Sequence, residues 1–410
     1  MKKFEPAGLL ERLKFTHQPK TRIVSGADSV NAVGSVVREF ASRSVLFVTD
    51  PGLVAAGHAG RVHQLLLKAG LSVALFDRVQ ENPTTDCVAS CLQIARESGI
   101  EVLVALGGGS AMDTAKGCNF ILTNGGEMKD YWGVGKAKQP MLPLIAIPTT
   151  AGTGSEMQSA ALIADAVTHQ KMACLDQKTI ARVAILDPVL TLSLPTRVTA
   201  CTGIDAMAHA IESSVARNRN AISDMYAREA FGLAVTALPE IFRNPDHLEA
   251  RGQMLLAAAL AGLAIENSML GAAHSAANPL TAHFNVIHGQ AVGMMLPPVL
   301  RFNGVEPAVQ EVYEGLCSSL PDSAKAHGQN PAELLARWVE ALLDLARMPR
   351  SLSEAGADPS AVSLLATEAA RQWTAGFNPR PVAESDFVAL YQAAFVPRNQ
   401  KNFPFLNKNC

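Results

Sequence analysis

The sequence predicts an α/β dinucleotide-binding domain with a mostly parallel sheet at residues 1–194, followed by an all-helical domain at residues 195–410. Three observations support this prediction. The chain of 410 residues is long enough for two domains. Up to about residue 190, short apolar runs alternate with helical patterns, as in a parallel sheet that helices cover on both faces. Beyond that point, alanine-rich segments with helical spacing replace the strands.

The predicted strands are nearly continuous apolar runs bounded by turn residues. They lie at 44–50, 71–77, 101–110, 142–150 and 183–190, with helices predicted at 53–69 and 85–98. In the second half, helical spacing predicts helices at 199–217, 221–242, 248–273, 331–346 and 384–395. The predicted boundary between the two domains is at Leu194–Pro195.

Composition excludes several classes of partner. A net charge of −2 gives no broad attraction to nucleic acid or to an anionic membrane, and 5% aromatic residues argue against base-stacking surfaces. The sequence has no uninterrupted apolar run of about 18 residues, so no membrane span is predicted. The seven cysteines follow neither a disulfide pattern nor a zinc-ribbon spacing, which indicates reduced thiols and a cytoplasmic protein.

A glycine-rich turn, GGGSAMDTAK at 107–116, follows an apolar strand and opens a helix. Gly107, Gly108 and Gly109 allow the backbone to approach a ligand, and Ser110 with Asp113 has the spacing of a capping box. Free amides at such a helix start suit a pyrophosphate. The alternative is a tight strand-to-helix turn, which also needs glycine. The fingerprint G-x-G-x-x-G is absent.

Two further segments strengthen the prediction of a nucleotide site. In IPTTAGTGSE, residues 147–156, the hydroxyls of Thr149, Thr150, Thr153 and Ser155 could bind a phosphate, a ribose or a carboxamide, or else their own backbone. Asp50 ends a predicted strand, where a carboxylate accepts both ribose hydroxyls and favours NAD over NADP. The alternative for Asp50 is a helix cap before Pro51.

A candidate metal site comes from two segments. In GIDAMAHAIES, Asp205 and His209 are four residues apart and share one helix face. In HSAANPLTAHFNVIHG, residues 274–289, His274 and His288 are fourteen apart, and Pro279 makes one helix through both improbable. One carboxylate and three imidazoles suit Fe²⁺ or Zn²⁺ and leave a position for a substrate oxygen.

These motifs, in this order and at these separations, resemble the iron-containing (group III) alcohol dehydrogenases over nearly the whole chain; NPRP at 378–381 also resembles the family's C-terminal end. The resemblance implies the dehydroquinate synthase-like fold, with a cleft between the two domains, and homodimers or larger assemblies. It assigns metal ligands to Asp205, His209, His274 and His288. It assigns cofactor contacts to Asp50, the glycines 107–109, Ser110, Thr149 and Thr150, and to Asn82 and Lys171.

There is one departure from the family pattern. Many members carry a further histidine four residues after the first of the H-x13-H pair, where this chain has Asn278. Asparagine can orient a hydroxyl but cannot shuttle a proton at neutral pH. His283 is a candidate to take over that role, and the alternative is a packing or surface histidine.

The sequence therefore predicts a metal-dependent, NAD(P)-linked alcohol dehydrogenase or aldehyde reductase acting on a small alcohol or aldehyde. Rival functions within the family are maleylacetate reduction, hydroxyacid-oxoacid transhydrogenation and polyol oxidation. From another class, a non-catalytic nucleotide-binding protein would have no need for an intact set of one aspartate and three histidines.

Overall fold

The structure, a computed structural model, describes residues 12–168, 170–324 and 330–397. They form two compact units, one of residues 18–194 and one that contains residues 12–17 and the chain from Pro195 onward. The strands of the first unit are β1 (Arg22–Ser25), β2 (Ser44–Val48), β3 (Ser72–Phe76), β4 (Val102–Gly107), β5 (Gly133–Val134), β6 (Leu144–Pro148), β7 (Ala160–Ala164), β8 (Lys171–Leu175) and β9 (Val183–Leu186).

Six of these strands form a parallel sheet in the order β1-β9-β6-β4-β2-β3. All six residues of the central strand β4 are buried. Successive side chains point to opposite faces, so Val104 joins one apolar cluster and Leu103 joins another on the other face. This confirms the predicted parallel sheet with both faces covered.

The helices that cover this sheet are α1 (Val33–Arg38), α2 (Pro51–Ala55), α3 (His58–Lys68), α4 (Thr85–Ser98) and α5 (Gly109–Asn124). The single helix predicted at 53–69 is two helices in the structure. Gly57, with φ of 81°, separates them because a left-handed residue ends α2 and redirects the chain.

A small second sheet, β5-β8-β7, was not predicted from the sequence. Its strands β7 and β8 are antiparallel, and their residues alternate between buried and less buried. The sequence signal was weak because the strands are short and Ala160–Ala164 is also compatible with a helix.

The second unit is helical throughout its described residues. Its helices are α6 (Thr196–Val215), α7 (Ala221–Arg243), α8 (Leu248–Glu266), α9 (Ala272–Phe284), α10 (His288–Asn303), α11 (Pro307–Cys317), α12 (Pro331–Leu345), α13 (Val362–Arg371) and α14 (Glu384–Phe395). Residues 12–17 also belong to this helical unit, whereas the prediction placed them in the first domain, residues 1–194. Two side chains of this segment contact the helical unit: Arg12 pairs with Asp224, and the ring nitrogens of His17 lie 3.1 Å from Tyr226 Oη and 3.3 Å from Asn267 Oδ1.

Helix α8 alone among the described residues is long and apolar enough to cross a membrane, judged by length and composition. Of its most apolar window, 61% is buried inside the protein, where α8 packs against α6 and α7. Core helices of this kind have the same composition as a membrane span, so the feature is weak evidence for one.

Close helix packing around α6 depends on glycine. A Cβ on Gly203 would lie 2.2 Å from Leu238 Cδ2 of α7, and one on Gly289 would lie 2.1 Å from the carbonyl oxygen of Cys201. The backbones of α6 and α10 therefore approach one another as closely as their atoms allow.

We predict that Gly203→Ala destabilises the protein by about 1–3 kcal/mol, because overpacking at Leu238 exceeds the gain in helix propensity. The matched control is Gly232→Ala in α7, where the nearest atom to the new Cβ is Ser319 Oγ at 3.8 Å. That variant should be as stable as the wild type or up to about 1 kcal/mol more stable. Urea denaturation measures both, and equal stabilities of the two variants would contradict the packing argument.

Candidate functional site

Helix α6 presents a stripe of acidic and imidazole side chains. Asp205, His209 and Glu212 stand at positions i, i+4 and i+7, which share one face of a helix. All three are only 4% exposed. A buried stripe of this composition needs partners on neighbouring helices, because unpaired buried charges are costly.

His274 and His288 meet this stripe from two different helices. His274 lies in the first turn of α9, and His288 is the first residue of α10. The prediction that the pair comes from two segments is confirmed, but Pro279 is not the break. Pro279 lies inside α9, and the chain turns at Asn285, which adopts the left-handed conformation with φ of 53°. Gly289 then lets α10 start against α6.

The four predicted ligands converge in the structure. Ligand atoms of Asp205, His209 and His274 all lie within 4.8 Å of one another. From Asp205 Oδ1, the Nε2 atoms of His274, His209 and His288 are 3.3, 3.5 and 3.9 Å away. The rings of His209 and His274 stack with centroids 4.8 Å apart. His288 stands at the edge of the cluster, with 36% of its side chain exposed.

The electrostatics of this cluster favour positive charge. Burial alone would raise the pKa of Asp205, but His209 and His274 outweigh it and hold that pKa well below its usual range. Burial lowers the pKa of His274, yet Glu212 and Asp205 reverse the shift and raise it to about 9. Two buried carboxylates therefore stabilise a cation at this position, whether a proton on His274 or a metal ion.

The donor set fits a divalent metal ion. Asp205 Oδ1 and His274 Nε2 are fully buried and make no hydrogen bond of ordinary geometry with any described residue. Such orphaned atoms are rare in folded proteins and call for an explanation. With the histidines neutral, Asp205 and Glu212 carry a formal charge of −2, which a divalent ion neutralises. One oxygen and up to three imidazole nitrogens match the ligand preferences of Fe²⁺ and Zn²⁺.

Glu212 was missed in the sequence analysis. Its carboxylate contacts Nδ1 of His274, and its Oε1 accepts a hydrogen bond from the backbone N–H of Ala273 at 2.7 Å. The signal was present in GIDAMAHAIES, since Glu212 continues the helical stripe of Asp205 and His209. The contact itself is formed across 62 residues and is invisible to local spacing.

His283 does not join the cluster. It lies nine residues after His274, which on a helix is half a turn away around the axis and about 13 Å along it. Its Nε2 is 2.9 Å from Glu368 Oε2 of α13, and 36% of its side chain is exposed. The predicted catalytic role of His283 therefore has no support in its position, and the surface interpretation fits better.

Asn278 does share the face of His274, one helical turn further along α9. Its Nδ2 donates to Gln372 Oε1 at 3.1 Å, so two neutral amides stand at this position. Neither amide can carry a proton at neutral pH.

In the α/β unit, three neighbouring strands bring the predicted cofactor residues together. Asp50 follows β2. The glycine turn (residues 107–109) lies at the end of β4, and the threonine-rich segment (IPTTAGTGSE, residues 147–156) continues from β6. These three strands are adjacent in the sheet. The carboxyl ends of parallel strands form one edge, where nucleotides bind in such folds.

Asp50 caps helix α2, as one of its two interpretations predicted. Its Oδ1 accepts the backbone N–H of Leu53 at 3.0 Å, with Pro51 at the first helical position. Its Oδ2 lies 3.3 Å from where a Cβ on Gly107 would stand. One carboxylate oxygen thus serves the helix while the other faces the glycine turn.

The capping box predicted for Ser110 and Asp113 is not formed. Helix α5 begins at Gly109, with Gly108 as its N-cap and no side-chain cap. Ser110 Oγ instead accepts the backbone N–H of Asn82 at 3.3 Å. The N-cap is therefore Gly108, two residues before the predicted Ser110, and it follows Gly107, whose φ of 152° is a backbone conformation that suits glycine.

The threonine-rich segment packs directly on the glycine turn. A Cβ on Gly108 would lie 3.2 Å from Thr150 Oγ1, and one on Gly109 would lie 3.0 Å from Thr153 Cγ2. Thr149 is buried, and its backbone N–H donates to the carbonyl of Gly107 at 3.0 Å. The absence of side chains at the glycines is what permits this contact.

Asn82 and Lys171 reach the same region. Besides the bond from its backbone to Ser110, Asn82 accepts at Oδ1 from Lys171 Nζ at 3.5 Å. Asn82 adopts the left-handed conformation with φ of 52°, which asparagine tolerates better than most residues. The three predicted residues therefore form one connected group beside the glycine turn.

A buried lysine that the sequence analysis did not single out supports the threonine-rich segment. Lys116 Nζ, fully buried, donates to the carbonyls of Ser155, Gln158 and Ala160 at 2.7–2.9 Å and to Ser155 Oγ at 3.0 Å. Ser155 Oγ in turn donates to Asp113 Oδ1 at 3.1 Å. Asp113 thus joins helix α5 to the threonine-rich segment through Ser155. Desolvation by the surrounding protein raises the pKa of Asp113 to about 6.

Comparison with known proteins decides the family. The profile of the iron-containing alcohol dehydrogenases matches residues 19–188, and that of the C-terminal part of the Fe-containing alcohol dehydrogenase family matches residues 199–395. The chain belongs to the iron-containing alcohol dehydrogenase family. It is therefore an oxidoreductase that acts on CH–OH groups, as its sequence resemblance implied.

Individual relatives cover almost the whole chain. The NAD-dependent methanol dehydrogenase of Bacillus methanolicus is 33% identical over 374 residues, which are 90% of this chain and 97% of that protein. A crystal structure of 1,3-propanediol oxidoreductase superposes with a TM-score of 0.88 at 29% identity, covering 92% of this chain and 98% of that one. Sulfoacetaldehyde reductase from Bifidobacterium kashiwanohense, in complex with NAD⁺, gives a TM-score of 0.84 at 26% identity, with 94% and 99% covered.

Glu156, a buried acid and the last residue of the threonine-rich segment, leads to a prediction about how stability depends on pH. It is 2% exposed, and desolvation raises its pKa from 4.5 to about 7. Between these two values the folded state binds more protons than the unfolded state, so stability decreases as pH rises through this window. In Glu156→Gln this loss is absent. The variant should therefore gain up to about 3 kcal/mol relative to wild type between pH 4.5 and pH 8.

Urea denaturation at both pH values measures this gain. The control is Glu97→Gln, on the exposed side of α4, whose stability should stay parallel to that of the wild type. A constant difference between Glu156→Gln and wild type across the range would show that Glu156 titrates normally.

Proposed function

We propose that this protein is a metal-dependent, NAD-linked alcohol dehydrogenase or aldehyde reductase, with Fe²⁺ as the metal and Zn²⁺ as the alternative. One observation carries the proposal: Asp205, His209 and His274 converge in a buried cluster in which Asp205 Oδ1 and His274 Nε2 lack hydrogen-bond partners among the described residues. The proposal assigns the metal to these three residues and His288.

Each ligand would have its own part in holding the ion. Asp205 supplies the negative oxygen on which the three histidines converge, and His209 and His274 enclose it from the buried side. His288, which is partly exposed, leaves room on its side of the cluster for a substrate. When bound, the ion acts as a Lewis acid that polarises the substrate oxygen and lowers the pKa of an alcohol.

The cofactor is proposed to bind at the edge formed by β2, β4 and β6. Backbone amides at the start of α5, freed by the glycines 107–109, suit the pyrophosphate, and Asp50 suits the ribose hydroxyls. Thr149, Thr150, Thr153, Asn82 and Lys171 surround this edge as further contacts. NAD supplies the hydride chemistry, and the protein supplies orientation and charge.

The position one helical turn after His274 on α9, where many family members have a histidine that could receive the proton of the alcohol, is Asn278 in this chain. Asn278 and Gln372 form an amide pair there, so we propose that Asn278 orients a hydroxyl while solvent exchanges the proton. In this proposal His283 has no part in proton transfer, because its Nε2 contacts the carboxylate of Glu368 instead.

The substrate class is proposed to be small primary alcohols and the corresponding aldehydes. Relatives are named for methanol, 1,3-propanediol and sulfoacetaldehyde, all of which are small. We further propose a homodimer or larger homo-oligomer in the cytoplasm. The six free cysteines among the described residues are all buried, which suits a reducing compartment.

We predict that His274→Ala loses the metal while His283→Ala keeps it. Both substitutions remove an imidazole from α9, but only His274 lies in the cluster. Wild type and His283→Ala, purified without oxygen, should hold about one Fe or Zn per chain, and His274→Ala should hold less than about a tenth of that. Elemental analysis measures the content, and absorbance of NADH measures turnover of short alcohols and aldehydes.

The results separate the alternatives. Loss of both metal and turnover in His274→Ala alone supports the proposal. A wild type that holds no metal, and gains no activity when Fe²⁺ or Zn²⁺ is added, overturns the metal-dependent mechanism.

Asp50→Asn tests the cofactor assignment. Asparagine can still accept the N–H of Leu53 and cap α2, so folding should be preserved. Loss of the carboxylate charge should weaken the binding of NAD⁺ and strengthen the binding of NADP⁺. The ratio of the kcat/KM values for the two cofactors should change about tenfold or more. Steady-state kinetics with both cofactors measure the ratio, and an unchanged ratio would remove Asp50 from the ribose site.

A further inference from the structure

One carboxylate, that of Glu212, holds both the ring of His274 and the backbone from which that ring extends. Oε2 contacts His274 Nδ1, and Oε1 accepts the backbone N–H of Ala273 at 2.7 Å. Glu212 is 4% exposed and belongs to the neighbouring helix α6. Within the described part of the chain it has no lysine or arginine partner. Its carboxylate contacts only the first turn of α9.

The space for this carboxylate is made by Gly271. A Cβ there would lie 3.1 Å from Glu212 Oε1 and 2.9 Å from Asn378 Oδ1. Asn378 accepts the N–H of Ala272 at 3.2 Å. Two side chains from outside α9 thus bind its first two free amides, and negative charge at a helix N-terminus is itself stabilising.

The chemistry of a carboxylate decides which nitrogen of His274 carries a hydrogen. An ionised carboxylate only accepts hydrogen bonds, so the ring must donate from Nδ1. In the neutral ring, Nε2 then has its lone pair, and this atom is 3.3 Å from Asp205 Oδ1. In this neutral form two electron-rich atoms face one another, and a cation, either a proton or a metal ion, is needed between them.

We propose that Glu212 is the positioning residue of the metal site: it keeps a hydrogen on Nδ1 of His274 and fixes the orientation of the ring, so that Nε2 is the nitrogen that faces the metal. This inference rests on the proposed metal site. Glu212 itself touches neither substrate nor metal and acts only through His274. Partners of this kind typically change metal affinity by 10–100-fold.

Glu212→Gln separates this role from simple packing. Glutamine has the same shape, and its carbonyl can still accept the N–H of Ala273. Its amide, however, donates hydrogens toward Nδ1, which favours the ring form with the hydrogen on Nε2. That form cannot bind a metal through Nε2. Glu212→Asp does the opposite, because it keeps an acceptor-only carboxylate but is shorter by one methylene.

The two explanations therefore predict opposite orders of metal affinity for Glu212→Gln and Glu212→Asp. If Glu212 only fills space and caps α9, the glutamine variant binds metal as the wild type does and the aspartate variant is worse. If Glu212 sets the tautomer, affinity falls in the order wild type, Glu212→Asp, Glu212→Gln, with the glutamine variant 10–100-fold weaker than wild type.

The matched control is Glu368→Gln. Glu368 contacts Nε2 of His283, on the same helix α9, and is exposed. The same chemical change next to the other histidine should leave metal affinity unchanged. Dissociation constants for Zn²⁺, and for Fe²⁺ without oxygen, are measured by competition with a chelator in the full-length protein, and thermal unfolding of the metal-free forms checks folding.

Each outcome has one meaning. The predicted order, with metal-free melting temperatures of Glu212→Gln and wild type alike, supports the proposal. The proposal is overturned if Glu212→Gln binds metal as well as, or better than, Glu212→Asp. It is also overturned if both variants fail to fold, because Glu212 would then be needed for folding. If the wild type itself binds neither metal, the proposed metal site fails first, and the tautomer argument fails with it.

Discussion

The cost of burying two carboxylates among histidines is the constraint on which the helical unit depends. Asp205 and Glu212 are both 4% exposed on the same stripe of α6. Removing such charges from water strongly destabilises the folded state unless positive charge and hydrogen-bond donors surround them. The first residues of α9 and α10 meet that need, with His274 and Ala273 from one helix and His288 from the other. Gly289, next to His288, leaves room for the backbone of α6 at Cys201 and for the side chain of Asp205.

The α/β unit is organised by a different constraint, which is the geometry of a parallel sheet. Because β2, β4 and β6 are neighbours, the segments that follow them reach one edge although they are about 50 residues apart along the chain. Asp50, the glycine turn and the threonine-rich segment therefore share one surface. Lys116, buried beneath, ties the last of these segments to helix α5 through Ser155.

Where sequence and structure differ, a contact distant in sequence or a single left-handed residue is responsible. Local spacing indicated that Ser110 would cap α5, but the helix starts at Gly109 and Ser110 binds Asn82 instead. Pro279 was the reason to expect no single helix through His274 and His288, yet it lies inside α9 and the chain turns at Asn285. His283 was a candidate relay, yet helical periodicity places it on the opposite face from His274.

The sequence by itself determined the two-unit architecture, most of the buried strands and helices, and the four candidate ligands. It could do so because apolar periodicity, glycine turns and the spacing of Asp205 and His209 are local properties of the chain. Only the tertiary structure decided that His274 and His288 meet Asp205, that Asn82 meets both Ser110 and Lys171, and that Glu212 contacts His274. Those contacts join residues 28 to 89 positions apart, and no local pattern specifies which distant side chain fills a given position.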